Sequence, residues 1–309
     1  MSDLTAHAER IKLARVLGLA PAELDYLEDR DGQALRDFRE SLSDALFNRY
    51  RARFEGMAKL SSLLPLAANA RLSELVLGPT LSARIAGELP VKRAVALGDR
   101  LPVAFLAEVS RELDPRRAAD VVAAMPPKRV VAVALALLAE DDFITMGRFL
   151  DSLSESALAA TIEAIDSDAA LLRIGFFAED TGRLSDIVRL MPTARRRGTV
   201  VAAAEQDCWP EALSLMLHLD ADLQAEFGQF IFDDATLLAG AVAAVAEHGA
   251  WPVLVRLATH QDDAAQARLA EHIAGRGAGD HDQLTAAAEA EGVADALAPY
   301  AAAYRKQRS

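Results

Sequence analysis

Glu112-Leu113-Asp114-Pro115-Arg116-Arg117-Ala118-Ala119-Asp120-Val121-Val122-Ala123-Ala124-Met125-Pro126-Pro127 contains one full beat of a pattern that runs through much of the chain. Ala118, Val121, Val122 and Met125 fall on the i, i+3, i+4, i+7 stripe of a helix, and the charged residues fall elsewhere. An apolar residue closes each segment just ahead of a turn signal: Leu113 before Asp114-Pro115, Met125 before Pro126-Pro127. Upstream, Leu101 precedes Pro102, Leu89 precedes Pro90 and Leu77 precedes Gly78-Pro79, so positions 77, 89, 101, 113 and 125 are twelve apart. Downstream the beat loosens through Leu137, Leu153, Ile165 and Phe177, and Met191-Pro192 restores a proline.

Twelve residues fit a helix of roughly two to three turns plus a tight connection. Proline suits the first helical turn, where its missing N–H is not needed. Helices this short are marginal alone and require neighbours to pack against. No long segment alternates polar and apolar residues with β-branched enrichment. The sequence therefore predicts an all-α fold: a right-handed α-α superhelix, or solenoid, of short helix hairpins of the armadillo/HEAT-like kind.

A second periodicity runs farther along. The stretch 201–231 aligns with 243–273 at a shift of 42, with eleven identities in 31 positions. Glu205, Trp209, Pro210, His218, Asp220 and Gln224 recur as Glu247, Trp251, Pro252, His260, Asp262 and Gln266. The chain has only two Trp, and each is followed by Pro. A weaker third copy is expected to begin near Glu291-Gly292-Val293, with Leu297 near the position of Val255. Forty-two residues is the scale of a HEAT or armadillo unit.

These signals divide the chain into four parts. Residues 1–60 read as an N-terminal helical cap: a helix over 2–17 closed by Gly18, a short helix from Pro21 to Leu27, and a longer helix to about Met57. The apolar stripe of that longer helix is Leu35, Phe38, Leu42, Leu46, Tyr50, Phe54 and Met57, with Arg36, Arg39, Arg49, Arg51 and Arg53 on its other face. Residues 61–199 hold the short-helix stack, 200–275 the Trp-Pro units, and 276–309 a linker and an Ala-rich C-terminal helix. Gly275 to Asp282 reads as the flexible joint, and the tail Arg305-Lys306-Gln307-Arg308-Ser309 as fraying.

Composition narrows the function classes. Hydrophobic residues are 52% and aromatics only 6%, which suits close packing of Ala-rich helices. The longest apolar runs, 130–139 and 235–246, are too short to span a bilayer. The start Met-Ser-Asp-Leu-Thr-Ala-His lacks a basic, apolar leader, and the one cysteine, Cys208, reads as a buried small hydrophobe. Both point to a cytoplasmic protein. The net charge of −13 is uneven: residues 201–309 carry 6 Lys/Arg against 17 Asp/Glu. That balance argues against nucleic-acid binding and reads as a solvated acidic face.

No constellation announces a reaction. Gly275-Arg276-Gly277-Ala278-Gly279 follows no strand and lacks a Gly-Lys-Ser/Thr, and no Gly-x-Ser-x-Gly or His-Glu-x-x-His occurs. His218-Leu219-Asp220 and His260-Gln261-Asp262 have metal-pair spacing, yet their equivalent positions suit helix caps. Acidic clusters at Glu140-Asp141-Asp142, Asp166-Ser167-Asp168, Asp233-Asp234 and Asp262-Asp263 fall at expected turns and read the same way. No catalytic, cofactor or metal residue is assigned. The basic clusters Arg49/Arg51/Arg53/Lys59 and Arg195-Arg196-Arg197 read first as solvated faces, with gripping an acidic partner as the functional alternative.

The stretch from about Leu72 to Leu190, carried by Glu112 through Pro127 as quoted above, resembles the cytosolic N-terminal superhelical domain of MgtE-type magnesium transporters. Armadillo-like modules of the flagellar switch protein FliG share the style. The resemblance implies a superhelical fold, and through the transporter a possible response to Mg²⁺; it maps no ligand motif onto this chain. The reading is a non-enzymatic scaffold or adaptor for a protein partner, with a Mg²⁺-responsive regulatory module as the alternative. Arg49, Arg51 and Arg53 are the expected partner-binding residues, and a homo-oligomer is one form the partner could take.

Overall fold

The computed structural model describes residues 2–307 and is helical from end to end, with twenty-one α-helices, short 3₁₀ segments and no strand among the described residues. The chain forms two compact units, residues 6–180 and residues 181–309 together with 1–5. The break at 180/181 lies inside the stretch the sequence groups as 61–199, and residues 6–60 share a unit with most of the stack.

In the unit 6–180 the beat places its helices where the sequence puts them: Gly78–Ala86, Val91–Gly98, Val103–Glu112, Pro115–Ala123 and Pro127–Leu138. The prolines act in two ways. Pro115 and Pro127 open their helices. Pro90, Pro102 and Pro126 instead stand one residue earlier, with ψ between 133° and 146°. Their carbonyls accept the first helical N–H groups, as Ala94 N–H does with Pro90 at 3.0 Å. The fixed proline φ suits both positions, and proline pushes the residue before it out of the helix, so each beat ends sharply.

Each short helix packs against the one two places on. Gly78–Ala86 meets Val103–Glu112, which meets Pro127–Leu138, which meets Glu155–Ala164. A second row runs from Leu66–Leu72 to Val91–Gly98 to Pro115–Ala123. Two arginines at equivalent helix positions, 36 residues apart, stitch successive turns together. Arg93 donates to the carbonyls of Ser61 (2.8 Å) and Leu64, and Arg129 to those of Gly98 (2.9 Å) and Leu101.

The N-terminal helices differ from expectation. Ser2–Leu17 ends at Gly18 (φ +69°) and Pro21–Leu27 is a 3₁₀ helix, as read. The long helix is two, Gly32–Asn48 and Arg51–Leu63, broken at Arg49-Tyr50. Its inward face is also rotated: Leu35, Arg39 and Phe47 are buried, while Phe38 and Leu46 are more than half exposed. The physical reason is a set of ion pairs between distant segments. Buried Lys12 donates to Glu9 (2.8 Å) and to the Ala178 carbonyl (3.1 Å). Arg39 bridges Glu9 (3.0 Å) and Glu179 (2.6 Å), and Arg148 also reaches Glu179 (3.1 Å). Arg15 grips Asp142 with two bonds of 2.6 and 2.9 Å, and Arg111 holds the same carboxylate at 2.8 Å. At the other end Arg117 donates to Asp44 (2.8 Å) and lies 3.9 Å over the Phe47 ring. The first helices are thus fastened along residues 114–179.

In the other unit, helices recur at the 42-residue offset. Thr193–Glu205, Trp209–Met216 and Ala221–Phe232 are followed by Ala235–His248, Trp251–Thr259 and Asp263–Arg276, each starting 42 residues later. Ala278–Ala290 and the 3₁₀ segment Ala294–Leu297 begin 43 residues after Ala235 and Trp251, which pairs Leu297 with Leu254. Asp207, Gly249 and Gly292 all take positive φ (53°, 63° and 70°) at the corresponding helix ends. The next N–H then reaches back five residues each time: Cys208 to Ala203, Ala250 to Val245, Val293 to Ala288, at 3.0–3.1 Å. Both Trp open their helices and are 5% exposed. The buried Gln224 and Gln266 close the Trp helices from the next helix, donating to the Met216 (3.1 Å) and Ala258 (3.2 Å) carbonyls. The expected Gly-rich joint is instead a single-residue break: Gly277 (φ +136°) separates two packed helices. Of the expected frayed tail, Arg305 to Gln307 are helical and Arg308 and Ser309 lie outside the described residues.

Candidate binding surface and apolar cavity

Arg49, Arg51 and Arg53 come together at the helix break. Arg49 caps Gly32–Asn48, and Arg51 and Arg53 open the next helix. The guanidinium groups of Arg49 and Arg53 lie 5.5 and 5.6 Å from the Tyr50 ring centroid. Arg51 pairs with the exposed Glu55 at 3.1 Å and with the more buried Glu88 at 3.6 Å.

What the sequence reading missed is how many large apolar side chains the same stretch of chain leaves exposed. Among the described residues thirteen large apolar side chains are exposed, and nine of these fall from Phe38 to Leu81. Leu60 (67% exposed) and Leu63 (81%) lie three apart on Arg51–Leu63, so they share a face. Leu75 (77%) and Val76 (71%) project from the π-helical turn Ser73–Leu77. Asn69 ties this segment to the Arg51–Leu63 helix, donating to the Ser61 carbonyl (3.1 Å) and hydroxyl (2.6 Å). A signal was present in Leu60, Leu63 and Leu64, which lie close together just before Pro65 and outside the stripe read for the preceding helix.

The beat residues themselves line a cavity inside the unit 6–180. Leu77, Leu89, Leu101, Leu113 and Met125 all face it. So do Leu137, Leu153 and Ile165, where the beat loosens. About 190 Å³ of it is open to the centre of a water molecule.

The acidic clusters sit at helix starts, as read. Asp142 accepts from Thr145 N–H (3.1 Å), Ser167 from Ala170, Asp234 from Thr236 and Leu237, and Asp262 from Ala265. Asp220 stands at the equivalent start but pairs with Arg189 at 2.7 Å instead of capping. Burial works to raise the Asp142 pKa, but Arg15 and Arg111 outweigh it and hold the group at about 2. Glu179 is likewise held at about 2: Lys12, Arg39 and Arg148 overcome its burial. Arg196 of the Arg195-Arg196-Arg197 run pairs with Glu226 at 2.9 Å. Cys208 is fully buried. Among the described residues no cluster of three or more His, Cys, Asp or Glu is placed to hold a metal. No single described helix is long and apolar enough to cross a membrane.

No protein-family model, curated protein or solved structure matches the chain.

Proposed function

We propose that this chain is a non-enzymatic helical-repeat adaptor, an α-α superhelix of short hairpins that holds a protein partner on the surface around residues 38–81. In this reading the stack over residues 72–190 is similar to the superhelical domain of MgtE-type transporters in architecture. The partner presents an amphipathic helix with acidic residues, apolar side toward Leu60, Leu63, Leu75 and Val76 and carboxylates toward Arg49, Arg51 and Arg53.

The observation that carries the reading is that the stretch holding the three arginines also holds most of the exposed large apolar residues. Single exposed leucines are ordinary, but a gathered set rimmed by charge is the mark of an interaction surface. Aromatic and arginine anchors such as Tyr50 with Arg49 and Arg53 are the residue types that dominate interface energetics. The alternating helix contacts support the superhelical arrangement, since a stack in which each element meets its next-but-one neighbour leaves an extended face for partners.

The test pairs wild type with Leu63→Glu and Leu75→Glu in cross-linked capture from native cells. All three proteins are expected to melt alike, and one abundant partner is expected to vanish from both variants. Recovery of the same partners in the same yield from all three would reject this surface.

A further inference from the structure

The cavity of the unit 6–180 has a composition and wiring that packing alone does not explain. Its wall is almost wholly aliphatic, and its volume exceeds the roughly 150 Å³ that suffices for a benzene-sized guest. It reaches the surface at half-buried Val122, Met125, Val130 and Val133. The helix Pro127–Leu138 keeps only Ala134 and Leu137 buried although nine of its twelve residues are apolar. A side of that helix therefore looks into space that the protein does not fill.

Of the polar side chains in the wall, three stand out. The hydroxyls of Ser82 and Thr161 line the cavity, have almost no solvent contact and no hydrogen-bond partner. Ser82 as a whole is 9% exposed. A buried hydroxyl without a partner is costly, so its oxygen is met by whatever occupies the cavity. The third group is Arg129, the charged residue of the wall. Its Nε and Nη2 are spent on the carbonyls of Gly98 and Leu101, and no carboxylate pairs with it. Nη1 remains available, at the first turn of Pro127–Leu138, where the helix N-terminus also favours negative charge.

The shape follows from the order of helices. Ser82, Arg129 and Thr161 sit on the first, third and fourth members of the row Gly78–Ala86, Val103–Glu112, Pro127–Leu138, Glu155–Ala164. Adjacent packed helices lie about 8–10 Å apart, so the polar points are spread over about 25 Å. A compact guest cannot meet such a wall; a long, thin one can.

We propose that the cavity is a binding site for a long-chain monocarboxylate, with the carboxylate on Arg129 and the chain laid along the beat leucines. Ser82 and Thr161 are met by water held beside the chain, since methylene groups cannot hydrogen-bond them. The site is independent of the protein-partner surface: it uses different residues and stands if that surface fails.

The probe is cis-parinaric acid, a fluorescent eighteen-carbon carboxylate, titrated into the full chain and displaced by palmitate or by hexadecanol. One saturable site is expected, with palmitate displacing at least about tenfold better than hexadecanol, because the charge-assisted bond to Arg129 is lost in the alcohol. Arg129→Gln should remove that preference and Arg129→Lys should keep most of it. Val133→Trp, which fills the cavity, should abolish binding with unchanged helical content; Met125→Trp serves where Val133→Trp does not fold. Absence of saturable binding by wild type, or full binding by both filled variants, would overturn the site. An unchanged palmitate preference in Arg129→Gln would overturn the carboxylate assignment.

Discussion

Residues 6–180 and residues 181–307 are built from helices of similar length, yet they treat apolar side chains in opposite ways. All thirteen exposed large apolar residues lie between Leu17 and Leu135, and none of the described residues beyond 180 is among them. The cavity also belongs to the first unit. The difference follows from how helices meet. In the second unit some helices also pack on immediate and third neighbours, as Thr193–Glu205 does on Trp209–Met216 and on Ala235–His248. An indole anchors each Trp helix, and Gly240 leaves room for one of them: a Cβ there would lie 3.0 Å from Trp209 Nε1. Both units pack helices two places apart, but in the first the inner faces of those helices border unfilled space. A dense unit is suited to stability, a hollow one to holding something else.

Both tryptophans lie in the second unit, so the comparison has a built-in probe: tryptophan emission reports on residues 181–309 alone. Trp209→Ala and Trp251→Ala are each expected to cost about 3–5 kcal/mol, because each empties a filled core position. Leu106→Ala in the cavity wall should cost about 2 kcal/mol, since part of the space it vacates already borders a void. Chemical denaturation followed by tryptophan emission and by circular dichroism measures both. Equal costs at the two sites would remove the distinction between a packed and a hollow unit.

Removing Glu179 is the next largest effect. Its carboxylate faces Lys12, Arg39 and Arg148, and Glu179→Gln leaves Lys12 and Arg39 with Glu9 and takes from Arg148 the carboxylate it pairs with. About 3 kcal/mol of the first unit's stability should go, with the tryptophan-reported transition in place. Acid should do the same. Glu179 and Asp142 both have folded pKa values depressed to about 2, from 4.5 and 3.8. Depressed carboxylates stabilise above their unfolded values and lose that contribution as pH falls through the folded ones. The N-terminal helices should therefore detach between pH 4.5 and 2, seen as lost ellipticity before any red shift in tryptophan emission. Simultaneous loss of both signals would mean the clamp does not govern the acid transition.

The buried glutamines give a smaller, graded test inside the second unit. Gln224 donates one bond to a helix end. Gln266 donates to the Ala258, Gln261 and Ala296 carbonyls and accepts from Tyr300 N–H at 3.2 Å. Gln266→Ala should cost about 2 kcal/mol and Gln224→Ala about 1 kcal/mol. Calorimetric melting of the pair checks the order, and a reversed order would show that equivalent positions do unequal work for reasons other than hydrogen bonding.

The sequence announced one of these units better than the other. The 42-residue identity located both Trp helices and the glutamines that close them, because identical residues at equal offsets meet identical surroundings. The twelve-residue beat located helix ends at Leu89, Leu101 and Met125. Periodicity tells which side faces inward but not whether that inside is filled, so the cavity was invisible. Arg39 was read onto the solvated face because charge normally is; its partners Glu9 and Glu179 lie 30 and 140 residues away, beyond any local pattern. The break at Arg49-Tyr50 carries no Gly or Pro, so a continuous stripe was the natural reading, and Phe38 and Leu46 were misplaced with it.

The smallest effect on stability is expected where the largest effect on function is proposed. Arg51, itself half exposed, pairs with the exposed Glu55 and at 3.6 Å with the more buried Glu88, and pairs of this kind contribute about 0–1 kcal/mol. Arg49 and Arg53 rest on Tyr50, itself 41% exposed, where a cation–π contact contributes about 0.5 kcal/mol. Reversing all three to Glu should therefore shift the melting temperature by no more than a few degrees. Partner capture should fall steeply, and more so at low salt, because exposed charges act within a Debye length of about 8 Å at physiological strength. Leu63→Ser, also silent in melting, should weaken capture at every salt concentration, because its contribution is apolar. Read together, the two variants separate charge from burial on one surface. If the triple reversal unfolds the first unit, the arginines are structural clamps like Arg39 and the contrast between a holding unit and a stabilising unit loses its clearest face. If it melts normally and still captures the partner at every salt concentration, the apolar residues act without them, and Leu63→Ser becomes the deciding variant.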